Sequence, residues 1–99
     1  MTAYVYILAN RRNGTLYTGV ARDLSKRVWE HREGHGSEFV AKWGCTKLVW
    51  YDRFERFVDA IGHEKRLKKW ARRWKIELIE KTNPHWRDLY LDFGGWTGR

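Results

Sequence analysis

The sequence predicts a small mixed α/β layer fold in a single domain, and three observations lead to that prediction. Two β-prone runs flank Asn13-Gly14, the strongest short-range signal for a β-hairpin. A third run, 47–54, is rich in Val, Trp and Tyr, and segments with helical period lie before and after it. With 99 residues, of which 42% are hydrophobic, the chain can build one modest core.

The remaining elements follow from apolar spacing and from residues that begin or end helices. Asp23 is placed to cap the first helix, and Gly34 and Gly36 are placed to end it. Beyond Pro84 we predict an aromatic, Gly-rich segment with a short helix near Trp86–Leu89. The strands are expected at about residues 3–9, 15–21 and 47–54, and the helices at about 24–33, 37–43, 57–69 and 72–82.

The hairpin determines which tyrosines share a face. If Asn13-Gly14 is a two-residue loop with positive φ at both positions, Tyr6 lies opposite Ala21. Cross-strand partners share a face, so Tyr6 and Tyr17 then project from the same side of the sheet. Gly19 lies between them, and we predict a vacant floor there where a substrate group could approach the backbone. Taken singly, each tyrosine is more simply a core or interface residue.

The first helix carries two residues suited to phosphate chemistry. Arg27 and His31 are four apart and share a face, and Leu24 and Val28 place both at the edge of its apolar stripe. A guanidinium offers a fork of donors for phosphate, and an imidazole titrates near neutrality. The simpler alternative is a snorkelling arginine and a half-buried histidine at a helix boundary.

One carboxylate lies on an apolar helical stripe. Glu64 is three residues after Ile61 and three before Leu67. Because burial of an uncompensated carboxylate is costly, Glu64 needs a cation, a donor network or a position at the rim. A hard divalent ion such as Mg²⁺ or Mn²⁺ would satisfy it, and so would an ion pair with a neighbouring lysine or arginine. The residues alone leave both interpretations open.

Together these features resemble the GIY-YIG nuclease family. The first family motif corresponds to Tyr4-Val5-Tyr6 and the second to Tyr17-Thr18-Gly19, and the helix start at 23–27 follows at the family's spacing. Segments 64–70 and 83–89 are similar to those of the small stand-alone bacterial members. The resemblance implies a three-stranded antiparallel sheet flanked by helices.

The same resemblance divides the chain into two parts. It implies a nuclease domain over residues 1–90, followed by an aromatic, Gly-rich C-terminal tail over 91–99.

The resemblance also implies a role for each matching residue. Tyr6 and Tyr17 would line the active site, with Tyr17 as the general base or the group that positions water. Arg27 would stabilise the phosphate, and His31 would assist proton transfer or hold the nucleophile. Glu64 would bind a single Mg²⁺ or Mn²⁺ ion, which acts as a Lewis acid.

Two weaker assignments complete the implied site. Gly19 and Asn83 are expected to support it, although Asn83 lies further along the chain than in the better-known enzymes and could equally cap a helix end. The motifs depart mildly from the family pattern, with Tyr4 and Val5 in place of Gly and Ile, and with Thr18 in place of Ile.

The net charge of +8 favours a polyanionic partner, either nucleic acid or an acidic membrane surface. No segment approaches the roughly 18 apolar residues of a membrane span. Seven Lys or Arg lie between Lys65 and Lys75, beside Glu64, and this run favours contact with a phosphate backbone. Trp70 and Trp74 within it are interpreted as core residues. The predicted nucleic-acid contacts are Lys65, Lys68, Lys69, Arg72 and Arg73.

The resulting hypothesis is a divalent-metal-dependent endonuclease acting on DNA in repair or recombination, with structure-selective or weak specificity. One alternative is a non-catalytic nucleic-acid-binding module on the same scaffold. Another is an adaptor whose aromatic tail, from Trp86 to Trp96, docks on a protein partner that could also supply specificity. The lone Cys45 rules out an intrachain disulfide and suits a reducing cytoplasm, where we expect the protein.

Overall fold

Three strands form one antiparallel sheet in the order β2-β1-β3, so β1 is central. The structure is a computed structural model that describes residues 2–93, apart from the Phe93 side chain. The strands are β1 (Ala3–Ala9), β2 (Leu16–Ala21) and β3 (Lys47–Phe54). Their bounds agree with the predicted ones to within one residue, and the predicted fold class is confirmed.

Four α-helices and one 3₁₀-helix complete the described chain. They are α1 (Leu24–Arg32), α2 (Glu38–Trp43), α3 (Phe57–Lys69), α4 (Arg72–Thr82) and the 3₁₀-helix Leu89–Phe93. None of the helices within residues 2–93 is long and apolar enough to cross a membrane.

The short helix predicted near Trp86–Leu89 is present but lies further along the chain. Trp86 has a left-handed φ of 56°, which breaks helical geometry, and the 3₁₀-helix begins only at Leu89. It therefore crosses the predicted boundary between residues 90 and 91. Most of the predicted tail, 94–99, lies outside the described part of the chain.

The hairpin loop is longer than predicted. The loop covers residues 11–14, Asn13 alone has positive φ (56°), and the pairing places Tyr6 opposite Gly19 instead of Ala21. The shift is by two residues, so Tyr6 and Tyr17 still share a face, as predicted.

Side chains explain why the longer loop is preferred. The side-chain oxygen of Asn10 accepts a hydrogen bond from the Thr15 amide at 2.9 Å. The Arg72 guanidinium donates to the carbonyls of Asn13 (2.7 Å) and Gly14 (2.5 Å). These bonds satisfy one amide beside the loop and two carbonyls within it, and so stabilise the observed loop conformation.

The two faces of the sheet bury separate cores. One core packs α3 and α4 against Val5, Ile7 and Val49 of the strands. The other packs α1, α2 and the 3₁₀-helix against the opposite face, around Tyr6 and Leu8. The shared face of the two tyrosines is therefore the face that α1 covers.

The segment after α4 is held to the sheet by Asp88. Its carboxylate accepts hydrogen bonds from the amides of Leu48 (3.2 Å) and Tyr90 (3.1 Å) and forms an ion pair with Arg32. The Arg32 guanidinium also lies 4.5 Å above the Tyr90 ring. One carboxylate thus connects β3, α1 and the 3₁₀-helix.

We expect Asp88→Ala to lower the free energy of unfolding by about 2–3 kcal/mol, because it leaves a strand amide and a half-buried guanidinium without their acceptor. Urea denaturation measures the change. Asp92→Ala is the matched control, since Asp92 pairs with Arg87 at 3.5 Å between side chains that are 47% and 63% exposed. That substitution should cost less than about 1 kcal/mol. Equal losses in the two variants would contradict the role given to Asp88.

Candidate active site

The ring of Tyr6 occupies the space above Gly19. A Cβ atom at Gly19 would lie 2.4 Å from the Tyr6 hydroxyl oxygen, far inside contact distance. Gly19 therefore gives Tyr6 room to lie across β2. The predicted vacant floor is wrong, because the shifted pairing puts this ring directly over the glycine.

The Tyr6 hydroxyl is hydrogen-bonded to Nε2 of His31 at 2.9 Å. His31 is only 1% exposed and Tyr6 is equally buried, so the pair lies beneath the surface. A second glycine makes this possible, because a Cβ at Gly36 would lie 2.3 Å from Nδ1 of His31. Within residues 2–93, that Nδ1 has no hydrogen-bond partner. His31 is thus more deeply buried than the helix-edge position predicted for it.

Burial sets the protonation of this pair. Burial, together with the nearby Tyr17, raises the pKa of Tyr6, although Arg27 acts in the opposite direction. Burial and the positive charge of Arg27 lower the pKa of His31 to about 4. At neutral pH the pair therefore consists of a protonated phenol and a neutral imidazole.

Tyr17 and Arg27 extend this buried pair towards the surface. The Tyr17 ring is half-buried and lies 5.3 Å from the His31 ring and 6.4 Å from the Tyr6 ring, between centroids. The side chain of Arg27 is 37% exposed and pairs with Glu30 at 3.2 Å. Burial lowers the pKa of Arg27, but hydrogen bonds to Glu30 and Tyr6 outweigh that effect and raise it.

A surface depression of about 290 Å³ opens beside Arg27, where β2 ends and α1 begins. Three of its side chains are cationic and two are acidic, which gives it a polar, mixed-charge wall. Its lining includes Val20, Arg22, Asp23, Lys26, Arg27 and Glu30. The depression is large enough to admit a phosphate group next to a guanidinium.

Glu64 approaches the same group from α3. Burial is the main reason that the pKa of Tyr6 is raised, and the charge of Glu64 adds to it, so the carboxylate lies within electrostatic range of the phenol. Its side chain is 13% exposed and pairs with Lys68 at 2.9 Å. The ion pair that the sequence allowed is therefore present.

The donor set bears on which metal could bind. No three Asp, Glu, His or Cys side chains within residues 2–93 converge on one point. A lone carboxylate suits a hard cation such as Mg²⁺, which keeps several waters and takes other ligands from a substrate phosphate. Glu64 and its surroundings fit that kind of ion.

Asn83 is not brought into this group. It caps the end of α4, and its side-chain amide donates to the carbonyls of Val49 (3.1 Å) and Arg87 (2.9 Å) while its oxygen accepts from the Arg87 amide (3.0 Å). Val49 belongs to the core on the opposite face from Tyr6. The helix-end alternative accounts for Asn83.

Of the five predicted nucleic-acid contacts in the basic run, two are engaged in the fold and, within the described residues, three are exposed without such a role. Arg72 binds the hairpin loop and Lys68 pairs with Glu64. Lys65, Lys69 and Arg73 are exposed.

Of the two tryptophans in this run, both predicted to be core residues, only one packs against the core. Trp70 packs partly against the α3/α4 core, whereas Trp74 is 49% exposed, so the core interpretation is wrong for Trp74. The two rings meet edge to face at 6.1 Å.

Sequence reasoning missed two residues of the site. The sequence marks Gly36 only as a helix terminator, and its spacing of five from His31 gives no sign that the two residues lie against each other. Glu30 was not considered, although its position three residues after Arg27 on one helix is a usual ion-pair spacing.

Comparison with known proteins agrees with this geometry. Residues 2–77 match the model of the GIY-YIG catalytic domain. A UPF0213 protein of Clostridium perfringens is 38% identical over 80 residues, which are 81% of this chain and 85% of that protein. A UPF0213 protein of Staphylococcus saprophyticus is 32% identical over 78 residues, 79% of this chain and 94% of the relative.

A solved structure resembles the whole fold as well. The solution NMR structure of a UPF0213 protein from Bacillus halodurans superposes with a TM-score of 0.55 at 30% identity, covering 89% of this chain and 93% of that one. With a domain match over most of its length and relatives covered almost end to end, this chain belongs to the GIY-YIG family.

Proposed function

We propose that the protein is a divalent-metal-dependent endonuclease that hydrolyses phosphodiester bonds of DNA, with structure-selective or weak specificity, in repair or recombination. The observation that carries the proposal is the cluster of Tyr6, Tyr17 and His31, together with Arg27, which interacts electrostatically with Tyr6 and lines an open polar depression. Family membership supports a nuclease-type activity for such a site.

The surface members of the site would contact the substrate. Tyr17 would activate or position the attacking water, because it is half-buried whereas the other phenol, Tyr6, is fully buried. Arg27 would donate to the phosphate oxygens, where charge builds up as the bond breaks. Its raised pKa keeps the guanidinium charged at all relevant pH values.

The buried members would act as positioning residues. Tyr6 and His31 are each 1% exposed, so neither reaches a substrate directly. Tyr6 hydrogen-bonds to His31 and interacts electrostatically with Arg27, and the His31 ring packs against Tyr17. The pair would therefore hold the guanidinium and the phenol in a fixed orientation, which spares their reorganisation during the reaction.

Glu64 would hold the divalent ion, Mg²⁺ or Mn²⁺. When bound, such an ion polarises a phosphate oxygen and stabilises the leaving group. The pair with Lys68 does not oppose this role strongly, because the lysine side chain is 52% exposed and such a pair on a helix is worth only about 0.3–0.5 kcal/mol. Lys68 is then free to join Lys65, Lys69 and Arg73 against the DNA backbone.

A nicking assay on supercoiled DNA tests the proposal, with Mg²⁺ and Mn²⁺ in turn and with flap, branched, duplex and single-stranded oligonucleotides alongside. We expect Glu64→Gln and Arg27→Ala to abolish cleavage, a loss of at least about a hundredfold, since one carries the metal and the other the phosphate charge. DNA affinity should change little in Glu64→Gln, and it should fall steeply with salt for every variant.

Glu77→Gln on α4 is the matched control and should cut at the wild-type rate, because Glu77 lies outside the site. If highly purified Glu64→Gln protein nicks DNA as fast as the wild type, the enzymatic proposal fails. Binding without cleavage by any variant, the wild type included, would favour the non-catalytic module.

The positioning role requires a neutral His31, and this gives the fold a dependence on acid. The pKa of His31 is about 4 in the folded protein, against an ordinary value of 6.5. Between these values the unfolded chain binds the proton and the folded chain does not. Stability therefore falls as pH drops from about 6.5 towards 4, by about 2–3 kcal/mol from this group alone.

Urea denaturation at pH 7.5 and pH 4.5 measures that dependence. The wild type should lose about 2 kcal/mol more over this interval than His31→Gln, which cannot take up the proton. His35→Gln, at an exposed histidine of the loop after α1, should behave as the wild type does. The same loss in His31→Gln as in the wild type would refute a buried neutral His31.

A further inference from the structure

An exposed aromatic strip leads out of the proposed active site along α2. We define it as Tyr17, Phe39 and Trp43. The Tyr17 and Phe39 rings are 5.9 Å apart at 31°, and the Phe39 and Trp43 rings are 6.4 Å apart at 47°. Phe39 is 42% exposed and Trp43 is 47% exposed. The strip thus runs without interruption from the buried pair of Tyr6 and His31 to open surface.

The strip is carried by an anchored element. Ser37 caps α2 by accepting from the Phe39 amide at 3.1 Å, and Val40 on the opposite side is fully buried. Gly44 ends the helix with a left-handed φ of 67°. The two exposed rings are therefore held by a well-fixed helix, although their own burial supplies little of its stability.

We propose that this strip stacks an unpaired base of the DNA next to the scissile phosphate. The inference rests on the proposed function and specifies its substrate class. A phosphate at Tyr17 would place the adjoining nucleotide close to Phe39, since the Tyr17 ring lies between the His31 ring of the buried cluster and the Phe39 ring. Bases within a duplex have both faces covered by neighbours, so only a frayed, flipped or single-stranded base offers a face to these rings.

Charge favours nucleic acid as the occupant. The chain carries +8 overall, and the ammonium group of Lys42 lies 5.4 Å from the Trp43 ring, at the outer end of the strip. A cation beside a stacking ring suits a nucleotide, because the base can stack on the ring while the cation pairs with the adjoining phosphate. The groove of Trp70 and Trp74 is less suited, since its charged lining residues, Glu77 and Lys81, are of opposite sign and none of the site residues lines it.

Fluorescence anisotropy with labelled DNA in EDTA tests the proposal without any cleavage. The probes are a single-stranded thymidine oligomer, an abasic oligomer of equal length and a blunt duplex. We expect Trp43→Leu to weaken binding of the thymidine oligomer by about tenfold, and to leave the abasic oligomer and the duplex unchanged. Trp43→Phe should restore most of the affinity, because it keeps a planar ring.

Trp74→Leu is the matched control, an equally exposed tryptophan away from the strip, and should bind all three probes as the wild type does. Phe39→Leu provides a second variant, and circular dichroism confirms that each protein is folded. An equal loss on all three probes would overturn the proposal. Unchanged DNA binding in Trp43→Leu would also overturn it. If sedimentation then shows an altered oligomeric state for this variant, the strip is a protein contact instead.

The outcomes for stacking and for catalysis are separable. If the Trp43→Leu effect appears but no substrate is cut in Mg²⁺ or Mn²⁺, the aromatic strip stands and the endonuclease proposal fails. If DNA is cut and Trp43→Leu does not distinguish the thymidine oligomer from the abasic one, the endonuclease proposal stands and the stacking proposal fails.

Discussion

The hydrogen bond between the Tyr6 hydroxyl and His31 is the interaction on which the candidate site depends. It joins the central strand to α1 across a buried face, at 2.9 Å between side chains that are each 1% exposed. Two glycines make it sterically possible, because a Cβ at Gly19 would strike the phenol and one at Gly36 would strike the imidazole. Positions 19 and 36 must therefore both be glycine for the phenol and the imidazole to meet.

That constraint divides the site into an inner and an outer part. The inner pair is uncharged at neutral pH, since burial raises the pKa of Tyr6 and lowers that of His31. Neither can exchange protons freely with solvent, which suits a supporting role. Tyr17 and Arg27 reach the surface, and the Glu64 carboxylate on α3 lies within electrostatic range of Tyr6. In the proposed chemistry the outer residues, Tyr17, Arg27 and Glu64, would therefore act on the substrate. The inner pair, Tyr6 and His31, would orient Tyr17 and Arg27.

Much of this arrangement could be predicted from the sequence, because local signals determine it. Helical period, the Asp23 cap and alternating aromatics give the elements nearly to the residue, and the even shift of the hairpin preserves the shared face of Tyr6 and Tyr17. The loop length could not be predicted, because it depends on Arg72, which is far away in the sequence. The full burial of His31 could not be predicted either, because it depends on the Gly36 backbone packing against the imidazole ring.

In the proposed mechanism, Tyr17 is the phenol that serves the reaction, and Tyr6 is held behind it. The most direct test is the single-turnover rate of DNA cleavage by Tyr17→Phe, at saturating protein and divalent metal, with Tyr4→Phe as the control on the same sheet face. We expect the rate to fall by about a hundredfold or more for Tyr17→Phe with unchanged DNA affinity, and to stay at the wild-type value for Tyr4→Phe. Full cleavage activity in Tyr17→Phe would contradict the proposed mechanism.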